Sequence, residues 1–449
     1  MGASPDSTTD TPLPLALLGA YGSLAFPLAA GFIALQVVVP TYYAQALGIS
    51  LTAVGAILLG ARLWDMITDP VIGFLSDKTP PRFGRRRAWV VVSAPLVALS
   101  VWMLFNPAVG ISNGYLLLWA MAIYVAGTMA IVPMTAWGAE LSTNYHQRSR
   151  VAGARVVFGL LGTMCALLLV DNRNDETLAS SLNHIALLVT AALLVTVPLA
   201  AAKVPDSGAT ATAGNDVRGA WSLLRSPSPF RRLLLAFLLN GVANAIPATL
   251  FLMFVTHVLQ QPELAGPALF LYFLCSAVSV PFWVWAAGKI GKHQAWSIAV
   301  TLACLFFAGV PFLGVGDSGW YIAIVVATGL LIGADLALPS AINGDLIEWD
   351  AHENGKHRPG LFFALWGSAS KLAFALAVGM IFPLLDLMGF DASGSNSPED
   401  VRTLAILYGV PSILFKLAAV ALMFNFPIDE QEHQRIRSVL SAQTAAEPA

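Results

Sequence analysis

Residues 51–76, LTAVGAILLGARLWDMITDPVIGFLS, are long and apolar enough to be read as a membrane-spanning helix. In the middle of that run stands Arg62-Leu63-Trp64-Asp65-Met66-Ile67-Thr68-Asp69-Pro70. At 3.6 residues per turn, Arg62, Asp65, Asp69 and Gly73 fall within an arc of roughly 80°, with Gly55 on the same stripe. Each charge near the bilayer centre costs at least ~2.5 kcal/mol, so this face predicts contact with a protein interior or a water-filled path rather than with lipid. An intramembrane acid is a default candidate for an ion or substrate route.

The rest of the 449 residues has the same character, 57% hydrophobic and only 11% charged, with a mean hydropathy of +0.71. That composition is one of a polytopic membrane protein, in which lipid-facing and core-facing surfaces are both apolar. Cys165, Cys275 and Cys304 stand alone in apolar runs, with no spacing for a metal or redox pair. The first 14 residues lack a basic segment, so the apolar run after them reads as a first span rather than a cleavable signal.

Runs of about 20 or more apolar residues recur at 15–46, 51–76, 88–106, 113–141, 150–170 and 183–202, then at 230–259, 265–287, 294–314, 320–347, 360–387 and 402–426. A Pro/Gly/Ala/Thr/Ser-rich linker at 203–229 divides them, with tails at 1–14 and 427–449. The expected organisation is a six-helix bundle over 15–202 and another over 230–426. With both ends assigned to the cytoplasm, cytoplasmic segments hold 18 of the 24 Lys and Arg residues, against Arg173 and Arg402 outside. This bias predicts that both termini are cytoplasmic. Two six-span halves place a transport site between them near the midplane.

The pattern R-x-W-D-x-x-x-D-P at Arg62 to Pro70, with Gly84-Arg85-Arg86-Arg87 after it, resembles the glycoside-pentoside-hexuronide:cation symporters, a branch of the major facilitator superfamily. Glu140-Leu141 with Arg148 and Arg150, Gly344 to Asp350, Gly360 to Phe363 and Lys371 agree with it. The resemblance implies an all-α major facilitator fold of twelve transmembrane helices in two bundles, and alternating access driven by a Na⁺, Li⁺ or H⁺ gradient. It assigns Asp65 and Asp69 to the cation site and places Arg155 and Lys371 near the sugar and cation sites. Two positions depart from the family: where it carries sugar-holding acids, this chain has Ala29 and Ile131.

Asp65 and Asp69 are one turn apart, so their carboxylates can approach a common point. Two such anions in a low-dielectric site repel until a cation or a proton intervenes. Pro70 is expected to disrupt the helix one turn back and free the Met66 carbonyl as a further oxygen ligand for a hard cation. Arg62 and Lys371 would hold the acids when the cation is absent. Na⁺ or H⁺ is the coupling ion, and the alternative to a coupling site is a structural ion network.

Asp335 and Lys416, at similar depth on the tenth and twelfth spans, are read either as a structural pair or with Asp335 as a substrate ligand. Arg155 either snorkels to the surface or touches substrate. Among polar and aromatic candidates for a sugar, Trp137, Asn244 and Trp366 are preferred over Gln36, Tyr42, Tyr43, Asn240, His257 and Asn343. Asp77, with the clusters at Glu140/Arg148/Arg150 and Asp345/Glu348/Arg358, is read either as a set of cytoplasmic gating salt bridges or as simple positive-inside anchoring, and Ala220 to Leu224 as a candidate short interfacial helix. No nucleophile elbow, phosphate loop or His/Cys set points to an enzyme. The reading is a monomeric cation-coupled symporter in a bacterial inner membrane, without enzymatic cofactor or nucleic-acid partner, carrying a glycoside or related solute; a lysolipid carrier is the alternative.

Overall fold

The structure is a computed structural model that describes residues 13–80, 84–108, 110–141, 145–205, 228–354, 359–392, 396–427 and 435. Among the described residues it is all-helical, with twelve helical spans of membrane-crossing length: Leu15–Gln45, Leu51–Ser76, Arg85–Phe105, Asn113–Gly138, Arg150–Leu168, Asp175–Lys203, Pro229–Val258, Pro262–Ile290, Lys292–Phe312, Ser318–Asn354, Leu361–Leu387 and Pro398–Met423. Most of both tails, most of the expected linker including Ala220 to Leu224, and Arg358 lie outside the described residues, as do the side chains of Asp77 and Arg148.

Local chemistry explains several boundaries. Ser50, Ser112, Asn174, Ser228 and Ser397 each accept a hydrogen bond from a backbone N–H of the first turn that follows, satisfying donors a helix start leaves open. The first span is interrupted at Ser23 and Leu24, between helices Leu15–Gly22 and Ala25–Gln45. The seventh ends in a π-helical turn, Phe254–Val258. The helix Leu51–Lys78 runs through Pro70 without a break, so the expected disruption is absent. The ring still removes the N–H that would bond the Met66 carbonyl.

Within the first bundle the fourth span packs on the second and third, and the first on the fifth and sixth; within the second, the tenth packs on the eighth and ninth, and the seventh on the eleventh and twelfth. Among the described residues the bundles meet chiefly where the second span packs on the eleventh, the first on the seventh, and the fifth on the eighth. The second–eleventh and fifth–eighth pairs occupy equivalent places in the two halves, the relation expected of structural repeats.

The bundles close at one end only. There a Cβ added to Gly379 would lie 2.6 Å from Leu59, one on Gly55 would lie 3.1 Å from Phe382, and one on Gly266 would meet the Val170 carbonyl at 2.6 Å. Small residues thus let the helices approach backbone to backbone. Thr52 donates to Asp386 Oδ2 at 2.5 Å, Asn172 to Thr256 Oγ1 at 2.7 Å, and Gln45 pairs with His257 at 3.0 Å. One apolar cluster runs through the first bundle and across this end into the second. The other end of the second bundle has its own cluster, around Phe230, Trp296 and Phe362, with no member from the first bundle. The bundles are therefore parted at the end that carries Arg85, Arg86, Lys292 and Asp345.

Candidate functional site

Asp65 and Asp69 project from the second span toward the fourth and eleventh. Thr128 Oγ1 of the fourth span lies 2.8 Å from Asp65 Oδ1 and 2.8 Å from Asp69 Oδ1. A hydroxyl has one proton to donate, so one of the two carboxylate oxygens is left facing oxygen lone pairs. A cation lodged among these three oxygens would satisfy all of them. On the opposite side of the acids, Lys371 Nζ reaches Asp65 Oδ2 at 2.8 Å and Asp69 Oδ2 at 2.5 Å. Arg62 is buried, 3.4 Å from Asp65 Oδ2, with its guanidinium 4.3 Å from the centre of the Tyr124 ring.

The four formal charges sum to zero. Asp65 is sealed at 3% side-chain exposure, whereas Asp69 and Lys371 keep 28% and 26%, so the site is reached from the Asp69 side. The lysine comes from the second bundle and both acids from the first, so this ion pair ties the bundles together. Thr128 and Tyr124 escaped the sequence reading. The signal available was their spacing, four residues apart on one face of a span.

A cavity of about 490 Å³ lies between the bundles and into the second, lined by the first, fifth, seventh to tenth, eleventh and twelfth spans. Its wall is mostly aliphatic and aromatic, including Phe32, Phe251, Phe273, Phe307, Tyr321, Phe374 and Tyr408. Ala29, which stands where the resembling symporters carry a sugar-holding acid, lines it. Gln36 and Phe374 also line a void of about 20 Å³ beside Arg62 and Tyr124, so these two side chains separate the cavity from the carboxylate site. Asp335 and Lys416 form the ionised part of the cavity wall, with the neutral amide of Asn244 beside them.

The remaining sequence candidates lie elsewhere. Trp137 is fully buried and donates its indole N–H to the Pro205 carbonyl at 2.8 Å, away from the cavity wall. Trp366 stacks on Phe237 with ring centres 3.7 Å apart inside the second bundle. Arg155 donates to Thr135 Oγ1 at 2.7 Å. Asn343 is buried with neither amide atom hydrogen-bonded. Arg85 and Arg86 share Glu140 at 2.7 and 3.0 Å, and Arg86 also reaches Ser76 at 2.9 Å; Lys292 holds Asp345 at 2.6 Å. Each of these pairs joins spans of one bundle, so in this state they brace the bundles separately rather than bridging them.

The family described as MFS/sugar transport protein matches residues 20–430. The chain belongs to that family. It is thus a multi-pass membrane transporter of the major facilitator superfamily and not an enzyme. It is 26% identical to the human sodium-dependent lysophosphatidylcholine symporter 1 over 86% of this chain and 78% of that one. It is 23% identical to a sphingosine-1-phosphate transporter of Xenopus tropicalis over 84% of this chain and 81% of that one. The crystal structure of the nucleoside transporter NupG superposes with a TM-score of 0.68 at 13% identity, over 91% of this chain and 99% of that one, which shows the shared fold.

Proposed function

We propose that this facilitator is a Na⁺-coupled symporter of a single-chain amphiphile of the lysolipid class. The observation that carries this reading is the wall of the cavity, apolar and aromatic over most of its extent with ionised groups confined to one place. A sugar exposes hydroxyls on every side and needs directional partners for them; an acyl chain needs none. Two relatives named for lysophosphatidylcholine and sphingosine-1-phosphate support the same order. The amphiphile therefore takes precedence over the glycoside that the second-span motif suggests, and Ala29 in the cavity wall agrees with it.

Coupling follows from the carboxylates. A cation among Asp65 Oδ1, Asp69 Oδ1 and Thr128 Oγ1 competes with Lys371 for the same two acids. When it binds, the ion pair that joins the second and eleventh spans is weakened, and bundle position depends on ion occupancy. Na⁺ is favoured over H⁺ because three oxygens converge there, and a relative named as sodium-dependent supports that choice. With the basic end assigned to the cytoplasm, the parted end faces inward.

In proteoliposomes, an inward Na⁺ gradient should drive uptake of a labelled lysolipid and not of a labelled glycoside. Asp65→Asn and Asp69→Asn should each abolish gradient-driven accumulation while leaving exchange measurable. Glycoside uptake alone would reverse the substrate assignment, and full accumulation by both variants would remove the carboxylates from coupling.

A further inference from the structure

The cavity wall holds an ionised cluster that the coupling scheme does not use. Lys416 of the twelfth span donates to Asn240 Oδ1 at 3.0 Å and to Asn244 Oδ1 at 2.7 Å. The same two amides, one turn apart on the seventh span, each donate to Asp335 Oδ2 of the tenth at 3.0 Å. Trp296 of the ninth span donates its indole N–H to Asp335 Oδ1. Four spans thus contribute to one arrangement. The amides stand between the charges and keep Lys416 Nζ 3.8 Å from Asp335 Oδ2, beyond hydrogen-bond reach.

A pair serving only to neutralise itself would close to contact. This one is clamped open, and both charges sit in the wall of the cavity. The two amide bonds use two of the three N–H donors of Lys416. Ser276 Oγ, in the same wall, is buried without a hydrogen-bond partner. The rings of Tyr272, Phe307 and Tyr408 line the cavity as well and offer faces to a cation.

We propose that Asp335, Lys416 and the two clamping asparagines form a headgroup subsite for a zwitterion, a group whose ammonium and phosphate or carboxylate charges are a few ångströms apart. The subsite rests on the amphiphile reading above. A head of one sign meets attraction from one member of the pair and repulsion from the other at nearly the same distance, so the two effects offset. A zwitterion laid antiparallel to the pair is attracted at both ends. Its anionic end takes the spare Lys416 N–H and the Ser276 hydroxyl, and its ammonium faces Asp335 and the aromatic rings. The fixed dipole selects by rejecting heads of either single sign.

The test is calorimetric titration of the full chain in nanodiscs with single-chain amphiphiles of one length bearing a phosphocholine, a trimethylammonium or a phosphate-monoester head, together with chainless phosphocholine. Wild type should bind the zwitterionic amphiphile about tenfold tighter than either the cationic or the anionic one. Asp335→Asn should move the preference toward the phosphate head and Lys416→Met toward the trimethylammonium head, opposite shifts that a structural role does not produce. Asp335→Asn/Lys416→Met, which leaves no charge unpaired, should bind the chain with no charge preference, and it serves where a single variant does not fold. Equal weakening of all heads by both single variants, or a zwitterion preference retained in the double variant, would overturn the subsite. Chainless phosphocholine binding as tightly as its chain-bearing form would support the subsite and overturn the amphiphile reading; wild type binding none of the ligands would overturn both.

Discussion

Thr128 illustrates what a single side chain adds to the second-span stripe. Its hydroxyl touches both carboxylates at 2.8 Å, yet nothing in the fourth-span sequence marks it, because a threonine in a helix ordinarily bonds its own backbone. Asp65, Asp69, Arg62 and Lys371 were legible for the opposite reason: charges inside apolar runs have no inexpensive explanation. Asp335 and Lys416 stood out in the same way, and Asn244 and Asn240 were candidates as polar groups in a span, but nothing in the sequence showed that these two amides stand between the charges. The surroundings of Trp137 and Trp366 were not legible, because an aromatic in a span looks the same in sequence whether it packs in a bundle core or faces a cavity. If Thr128 supplies a cation ligand, Thr128→Val should raise the half-saturating Na⁺ concentration for uptake about tenfold, the loss expected for one hydrogen-bonding oxygen in a charged site. Thr128→Ser should stay near wild type. An unchanged Na⁺ dependence in Thr128→Val would confine the hydroxyl to structure.

Between the second and eleventh spans, glycines set how closely the bundles meet. Gly55 shares the charged stripe, and at its position an added Cβ would lie 3.1 Å from the Val378 carbonyl and 3.2 Å from Pro383. The stripe that binds Lys371 near its centre is therefore also the one that closes the end bearing Thr52 and Asp386. Gly55→Leu should wedge this contact and shift the population toward separation there. A cysteine placed at Gln36, which lines the cavity, should then react about tenfold faster with an impermeant thiol reagent added from that side. No acceleration would mean that the second–eleventh contact is not the barrier. Length and hydropathy place most span ends to within a few residues, but the sixth span starts at Asp175 rather than 183 and the tenth continues to Asn354 rather than 347. The interruption at Ser23, the π-helical turn at Phe254–Val258 and the unbroken passage through Pro70 depend on neighbouring helices, which satisfy or fail to satisfy freed backbone groups.

Across the whole molecule, the same charge asymmetry that suggests orientation coincides with the parted end of the bundles. Arg85, Arg86 and Lys292 brace that end within each bundle, leaving Lys371 with Asp65 and Asp69 as an ionic tie across the interface. If both termini are cytoplasmic, as the charge bias predicts, a cysteine at Arg173 in intact cells should be modified by an impermeant reagent and one at Lys203 should not; the reverse pattern would invert the topology. The fold was legible because a bilayer restricts backbone structure to a few solutions, whereas the cargo was not, because cavity shape arises from side chains on eight spans. In the proposed scheme, alternating access and ion coupling join at one exchange, Na⁺ for Lys371 on the two carboxylates. The most direct test is lysolipid uptake into proteoliposomes with Na⁺ present on one side only, comparing wild type with Asp69→Asn at matched incorporation. The account predicts accumulation that requires the gradient in wild type and is absent in the variant; accumulation that ignores Na⁺, or that survives loss of Asp69, would contradict it.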